Sequence, residues 1–449
     1  MKQNREMPEA HNSLTEVAWP SPSRAWLLVS TLLVAYAVGF VDRQILTLLV
    51  EPVKRDLGIT DTQFSLLTGL AFTFFYTVMA IPFGWLADRG SRRNLVAASL
   101  VCWGAMTAVC GMASTFLLLF IARIGVGIGE AGLSPAAYSM IADSFPMERR
   151  TRPLGVYAMG SIMGVGVAFL IGGAVVEWAN STPPVVLPIL GELKTWQFSF
   201  LIVSIPGPLI GLAMLLLHEP KRREQRPAGN STGLSFGAFL RQRWRVLSMM
   251  SVGYALISVP PAAYLAWTPA FMIREYGWKV GDIGAALGGV LLVFNTSGIV
   301  AGATWADRLA GKGIKDGVIK VTAASGILGL PFAIAAPFAS TGGLAMAIVA
   351  GMSFMFGLGQ GLWAAGLQAI TPNRLRARML ALQMLIINTI AITIGPTSVA
   401  LISDYWLLNP TKIGVAVAIS SAALAPIGVT LTWAARKLFI YFAAIEADS

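Results

Sequence analysis

Long apolar stretches alternate with short polar ones along the whole chain. A membrane-spanning helix needs about 20 mostly apolar residues, and the pattern predicts twelve such helices, six on each side of the polar segment "HEPKRREQRPAGNSTG". The predicted spans are 25–50, 64–86, 95–112, 116–142, 154–176, 198–217, 246–273, 283–305, 318–337, 344–369, 379–402 and 413–434. Because no small-residue cleavage site precedes the first span, we expect a retained helix and not a removable signal.

The composition agrees with a polytopic membrane protein. Of 449 residues, 55% are hydrophobic and 12% charged, with a mean hydropathy of +0.68, whereas soluble domains carry roughly a quarter charged residues. The net charge of +11 does not indicate nucleic-acid binding, because the basic residues are confined to short connections. About 25 lie on the side of the N-terminus and about 6 on the other. We therefore expect both termini to be cytoplasmic, in a bacterial inner membrane.

These spans define the expected domain organisation. We expect two six-helix bundles, 25–217 and 246–436, joined by a cytoplasmic linker, 218–245, and flanked by cytoplasmic tails, 1–24 and 437–449. In the linker stretch "LSFGAFLRQRWRV", aromatic residues alternate with arginines. This pattern is typical of a helix along the membrane surface, and a solvated connector is an equal alternative.

The sequence offers no candidate for enzyme chemistry, a cofactor or a metal. Cys102 and Cys110 share one apolar stretch, and His11 and His218 lie far apart, so no metal-ligand spacing appears. The stretch "GIGEAG", 127–132, has the glycine spacing of a dinucleotide-binding loop. It lies inside a predicted span, however, where helical hydrogen bonds occupy the N–H groups that a phosphate would need. We expect these glycines to allow close helix packing instead.

Short patterns repeat between the two halves. Ala87-Asp88-Arg89 follows the second span, and Ala306-Asp307-Arg308 follows the eighth, 219 residues later. The loops "FPMERRTR" and "TPNRLRAR", after the fourth and tenth spans, are 226 residues apart and share a proline and two arginines. Two parallel six-helix repeats are a known transporter architecture.

The first of these patterns, "GWLADRGSRR", resembles the signature loop of the major facilitator superfamily, although Gly90 and Ser91 stand where an arbitrary residue and glycine are typical. "RIGVGIGEAG" is similar to the superfamily's fourth-helix motif. Within the superfamily, the chain resembles the spinster-type branch through an Asp-Arg pair in the first span, "DLGITDTQ" and "FFYT". The resemblance implies the fold of two six-helix bundles and a secondary transporter working by alternating access.

Four charged residues lie within predicted spans and are the candidate coupling site: Asp42, Arg43, Arg123 and Glu130. Helix geometry places Asp42 and Arg123 at matching depth, about 12 Å below the outer surface, and Glu130 about 10 Å deeper. Buried ionisable residues usually carry ions or substrate. We expect Glu130, which has no obvious second arginine beside it, and Asp42 to couple protons. We expect Arg123 and Arg43 to pair charges or bind substrate; a static ion pair between Asp42 and Arg123 is the alternative.

Other candidates line the cavity or close it. Tyr254, Asn295, Trp363 and Asn388 are candidates for a weakly polar, aromatic cavity wall in the second half. The family resemblance implies that Asp88, Arg89 and Arg152, with Asp307 in the repeated loop, help to close the cytoplasmic side.

The spinster resemblance further implies an amphiphilic substrate such as a lysophospholipid or sphingosine-phosphate-like lipid. We expect a monomer that moves this substrate across the bilayer, coupled to protons. The alternative is a proton-coupled antiporter of drugs or other small organic ions. A membrane enzyme would need a cluster of reactive groups, and a receptor on the same fold would move nothing across sealed vesicles.

Overall fold

The computed structural model describes residues 19–183, 185–187, 191–223 and 235–447. Within this part of the chain, twelve helices are long and apolar enough to cross a membrane, so the predicted all-α fold is confirmed. They are α1 Pro22–Leu48, α2 Asp61–Arg89, α3 Arg92–Gly111, α4 Phe116–Ser144, α5 Thr151–Ser181, α6 Thr195–Leu216, α7 Phe236–Tyr276, α8 Val280–Gly311, α9 Gly317–Phe338, α10 Gly342–Ala369, α11 Arg378–Leu407 and α12 Pro410–Ala434.

Smaller elements occupy the ends of these helices. A short helix, Val50–Leu57, connects α1 to α2, and an antiparallel pair, β1 Val186–Leu187 and β2 Gly191–Glu192, lies between α5 and α6. A thirteenth long element, the C-terminal helix Arg436–Ala447, follows α12 directly. Most of the segment expected to be a tail is therefore helical.

The linker also differs from the expectation. A single helix runs from Phe236 to Ile257 at the start of α7, so "FGAFLRQRWRV" is continuous with a spanning helix and does not form a separate surface helix. Apolar partners explain the difference, because Phe239 is buried against Phe439 of the C-terminal helix. Linker residues 224–234 lie outside the described residues.

The helices form two bundles, α1–α6 and α7–α12. In the first bundle α1 packs on α5, and α3 packs on α4 and α6; in the second, α12 packs on α7 and α9. The bundles meet along α5 and α8 and along α2 and α11. A site built on both bundles would therefore lie between these helix pairs.

Several spanning helices contain π-helical turns near the bundle interface. They occur in α2 at Gly69–Phe74, in α8 at Leu291–Asn295 and in α11 at Asn388–Ile394 and Ile402–Leu407. Gly69 packs directly against the backbone of Thr393 across the interface. π-helical turns are rare and occur frequently at functional sites. Their position therefore points to the bundle interface as the place of a functional site.

The connections between helices lie at two opposite ends of the molecule, the tail end and the far end. The tail end carries connections 90–91, 145–150, 312–316 and 370–375 together with the C-terminal helix. The far end carries 49–60, 112–115, the described parts of 182–194, 277–279, 339–341 and 408–409.

Candidate functional site

Two oppositely charged pairs lie inside the first bundle, where α1 comes close to α4. Successive helix residues point about 100° apart, so Asp42 and Arg43 face different turns of α4. Asp42 pairs with Arg123, and Arg43 pairs with Glu130. Seven positions separate the two α4 residues, which keeps them on nearly the same face about 10 Å apart. The structure thus brings the four predicted charges together as two parallel pairs.

The Arg43–Glu130 pair is tight. Arg43 Nη2 donates to Glu130 Oε1 over 2.6 Å, and Nε donates to both carboxylate oxygens at 3.0 and 3.1 Å. The Glu130 side chain is 2% exposed and that of Arg43 19%. The expectation that Glu130 has no second arginine beside it is therefore wrong. Arg43 points away from Arg123, and this direction brings it to the turn of α4 that carries Glu130.

Aromatic rings enclose the Arg43 guanidinium. Its central carbon lies 5.1 Å from the ring centre of Phe40, 4.8 Å from Phe72 and 4.5 Å from Tyr76. A cation over the face of an aromatic ring is attracted by the ring quadrupole, more strongly where water is excluded. Both these rings and the carboxylate of Glu130 therefore stabilise the positive charge of Arg43.

The Asp42–Arg123 pair is looser. Arg123 Nη1 lies 3.6 Å from Asp42 Oδ2, beyond hydrogen-bonding distance, whereas Asp42 Oδ1 accepts from Thr107 Oγ1 at 2.9 Å. Both charged side chains are buried, and Asp42 Oδ2 and Arg123 Nε and Nη1 have no hydrogen-bond partner within the described structure. Buried charges without hydrogen bonds are costly, so this pair is the less satisfied of the two.

The glycines of "GIGEAG" allow the close packing of helices that the pairs require. A Cβ at Gly127 would lie 2.6 Å from the carbonyl oxygen of Phe72, and one at Gly129 would lie 2.7 Å from the backbone nitrogen of Trp103. Neither gap admits a methyl group. Both glycines are inside the helix Phe116–Glu130, so the packing prediction holds and the dinucleotide loop is excluded.

The predicted cavity residues of the second bundle separate into two places. Asn388 donates from Nδ2 to Thr77 Oγ1 of the first bundle at 2.7 Å, and Asn295 ends the π-helical turn of α8. Tyr254 and Trp363 instead pack ring to ring, with centroids 5.8 Å apart. They line a small, mostly apolar pocket together with Met250, Gln383 and Thr432, all of the second bundle.

The predicted gating residues all lie exposed at the tail end. Asp88, Arg89, Arg152 and Asp307 are on the surface. Arg89 stacks on Trp85 with 4.0 Å to the ring centre, and Arg152 lies 5.6 Å from the ring centre of Trp26. These two arginines contact aromatic rings of their own bundle.

The far end, by contrast, carries a set of contacts between the bundles that the sequence did not reveal. Arg274 of α7 holds both carboxylate oxygens of Asp61 of α2 at 2.8 Å, and its Nε donates to Glu51 at 2.7 Å. Asp404 of α11 accepts from the backbone N–H and the hydroxyl of Thr62, each at 2.7 Å. These contacts form a far-end latch, and the Asp61–Arg274 pair at its centre is buried, with Asp61 0% and Arg274 7% exposed.

The missed residues had one usable signal. Asp61 and Thr62 both belong to "DLGITDTQ", the stretch that carries the spinster resemblance. Arg274, however, reads as an ordinary basic residue of an outer connection. Among the described residues, no group of three or more His, Cys, Asp or Glu side chains could hold a metal ion.

Comparison with known proteins identifies the family. The sequence profile of the Major Facilitator Superfamily matches residues 32–396. The chain is 28% identical over 427 residues to an MFS-type efflux pump of Mycolicibacterium smegmatis, covering 93% of this chain and 94% of that protein. It is 26% identical to human protein spinster homolog 1 over 283 residues, which cover 60% of this chain and half of that protein.

A solved structure has the same fold. The crystal structure of a bacterial homolog of the human lysosomal transporter Spinster, in an inward-facing and unoccupied conformation, aligns with a TM-score of 0.77 at 23% identity. The alignment covers 96% of this chain and 99% of that one. Together with the human relative, it bears out the predicted resemblance to spinster proteins. The matched profile spans most of the chain, and this protein is an integral membrane transporter, not an enzyme, of the major facilitator superfamily.

Proposed function

We propose that this transporter moves an amphiphilic, lipid-like molecule by alternating access, as a monomer coupled to protons. The tail end would face the cytoplasm of a bacterial inner membrane, in accord with the excess of basic residues in the tail-end connections. The observation that carries the proposal is the Arg43–Glu130 pair, in which a buried acid binds an arginine that remains partly exposed.

The position of this pair suits coupling. Tyr76, whose ring lies against Arg43, is followed by Thr77, which accepts the hydrogen bond from Asn388 of the opposite bundle. Arg43 therefore lies beside the bundle interface, where the substrate of a two-bundle transporter binds. A charge at this depth is tolerated where it is paired or faces a wet cavity.

Protonation of Glu130 would change what Arg43 can bind. A protonated carboxyl loses the charge that holds the guanidinium fork, so Arg43 becomes available to an anionic headgroup. Return of the proton restores the internal pair and displaces that headgroup. Asp42 is the second candidate proton site, because its contact with Arg123 leaves three buried polar atoms without hydrogen bonds.

The surroundings favour a substrate with a charged head and an apolar body. Phe40, Phe72 and Tyr76 surround the cation, and the π-helical turn of α8 that packs on α5, Leu291–Asn295, is mostly apolar. The spinster resemblance points to the same class, a lysophospholipid or a sphingosine-phosphate-like lipid.

The contacts at the two ends fit one state of the cycle. The far-end latch joins the bundles, while the gating residues at the tail end are exposed, as expected when the substrate site opens toward the tail end. In the opposite state, Asp88, Arg89, Arg152 and Asp307 would close the tail end. We expect Asp88→Asn to reduce transport without reducing substrate binding; unaltered transport would remove Asp88 from the gate.

The test is flux of a fluorescent lysolipid into or out of sealed proteoliposomes under an imposed proton gradient. We compare the native protein with Glu130→Gln and Arg43→Gln, and use Glu148→Gln, which alters an exposed tail-end acid, as the matched control. We expect gradient-driven flux that Glu130→Gln abolishes while binding survives, and binding that Arg43→Gln weakens. Gradient-independent flux that is insensitive to Glu130 would refute proton coupling at this residue.

A second function has its own support. The relative that matches over 93% of this chain is named an efflux pump, which favours a proton-coupled antiporter of drugs or other small organic ions. A competition panel separates the two: lysolipids displace the bound probe if the substrate is a lipid, and small organic cations displace it if the protein is a drug antiporter.

A further inference from the structure

In each bundle, the segment that follows the last spanning helix folds back over the tail end. After α6 this segment is 217–223, and after α12 it is the C-terminal helix. The two segments occupy equivalent places in the sequence repeat, although the first is extended and the second helical. Both contact the connections that follow the repeated Ala-Asp-Arg pattern.

In the first bundle, residues 217–223 bind the connection between α2 and α3 through both charges and backbone. Glu219 accepts from the hydroxyl of Ser91 and, at 2.8 Å, from the N–H of Arg92, where α3 begins. Arg222 Nη2 donates to the carbonyl oxygens of Ala87 and Gly90, each at 2.6 Å. Because these two carbonyls flank Asp88 and Arg89, Arg222 fixes the end of α2 on both sides of the gating pair.

Buried Arg92 extends the same network to α4. Its Nη2 donates to the carbonyl oxygen of Pro220 at 2.6 Å, and its Nη1 donates to Ser139 at 2.9 Å and to Asp143. Segment 217–223 is thus linked to the end of α4 as well as to the ends of α2 and α3.

In the second bundle, the C-terminal helix makes the equivalent connections. Arg436 Nε donates to Asp316 at 2.5 Å, directly before α9, and Asp316 also pairs with Lys320 at 3.0 Å. At the other end of the helix, Glu446 accepts from Arg243 Nη2 at 2.7 Å, while Arg243 Nη1 donates to the carbonyl oxygen of Ile370 at 2.6 Å.

Apolar packing reinforces these contacts. Phe439 of the C-terminal helix is buried among Leu367, Ile370 and Leu375, which lie at the end of α10 and in connection 370–375. The helix therefore ties the 312–316 and 370–375 connections together, as segment 217–223 ties the ends of α2 and α3 to α4.

From this correspondence we propose that segment 217–223 and the C-terminal helix are equivalent straps, and that Arg222 and Arg436 are positioning residues for the tail-end gate. Each strap holds the connections of its own bundle in one arrangement. Asp88 and Asp307 are thereby presented to the opposite bundle when the tail end closes. Gate closure then requires only rigid-body movement, without ordering of loops in every cycle. The straps act on connections and not on the substrate site, so they are independent of the substrate identity proposed above.

The test measures the order of the connections and needs no substrate. Nitroxide labels at Lys312→Cys and Asn373→Cys, in a background with Cys102→Ala and Cys110→Ala, report the distance between two exposed connections of the second bundle. We expect Arg436→Gln to broaden this distance distribution roughly twofold, because local order falls when a segment loses its tertiary contacts. Arg436→Lys, which keeps the charge, restores most of the original width.

Lys437→Gln is the matched control, since Lys437 is the exposed neighbour of Arg436 on the same helix. Glu446→Gln is a second variant in case Arg436→Gln does not fold, and it broadens the same distribution from the other end of the helix. A general loss of stability lowers the melting temperature of the protein without broadening the distribution. Equal widths in Arg436→Gln, Glu446→Gln and Lys437→Gln would overturn the proposal.

Discussion

Removal of the arginine in the far-end latch should open the far end. Arg274→Gln deletes the two-pronged contact with Asp61 and the hydrogen bond to Glu51. These contacts join the bundles only while the far end is closed, so their loss shifts the balance between the closed and open states. Lys54 remains beside Asp61 and limits the cost of leaving that carboxylate buried.

The size of the shift follows from burial. Hydrogen bonds to a charged group contribute about 1.5–3 kcal/mol each, whereas the half-exposed contact with Glu51 adds about 0–1 kcal/mol. Allowing for the retained Lys54, a loss of about 3 kcal/mol corresponds to a change of about 150-fold in the equilibrium between states. An open state that is populated at about 0.1–10% before the change would then rise to between about 13% and about 94%.

The assay is the distance between nitroxide labels at Arg55→Cys in the first bundle and Ser340→Cys in the second, both exposed at the far end, with the native cysteines replaced. We expect Arg274→Gln to add a longer-distance population that is minor in the parent. Lys279→Gln removes one exposed positive charge from the same end and should leave the distribution unaltered. If both variants match the parent, the latch does not hold the far end closed, and the reasoning from burial fails.

Three further predictions test the site, the packing and the straps. Arg43→Ala leaves Glu130 buried without its partner and should destabilise the protein by about 3–5 kcal/mol. Thermal unfolding beside the exposed control Arg149→Ala measures this loss, and equal melting temperatures for the two variants would contradict it. Gly129→Ala places a methyl group 2.7 Å from the Trp103 backbone, whereas Gly155→Ala meets nothing within 4 Å. Only Gly129→Ala should therefore lower the melting temperature by several degrees. Equal effects of the two variants would contradict the packing argument. Burial raises the pKa of Glu219 and of Asp316, but hydrogen bonds from Ser91 and Arg92 to Glu219, and from Arg436 and Lys320 to Asp316, outweigh burial and lower both pKa values. Both carboxylates therefore stabilise the straps at neutral pH and lose that contribution as the pH falls through the lowered pKa values. Because Asp316 belongs to the second bundle, the distance distribution between labels at 312 and 373 should broaden only below the usual carboxyl range. Broadening near pH 7 would exclude Asp316 as the cause.

The sequence alone was sufficient to predict the fold. Each spanning helix satisfies its own backbone hydrogen bonds and exposes apolar side chains to lipid, so it is visible in the sequence as one continuous apolar stretch. The repeated Ala-Asp-Arg pattern then revealed the two-bundle architecture, and the charges at 42, 43, 123 and 130 marked the candidate site. Helix periodicity also showed that Asp42 and Arg43 face different directions. These inferences depend on interactions within one helix or on spacing along one chain.

Partner choice between helices was decided by tertiary structure. The relative placement of the helices decides which residues pair. It brings Arg43 to Glu130 and Arg274 to Asp61, and it packs the C-terminal helix against α7 through Arg243 and Glu446. The π-helical turns likewise arise where the bundles press together and have no local apolar signature. Residues that are distant in sequence are paired by packing, and a periodic pattern carries no information about which helices become neighbours.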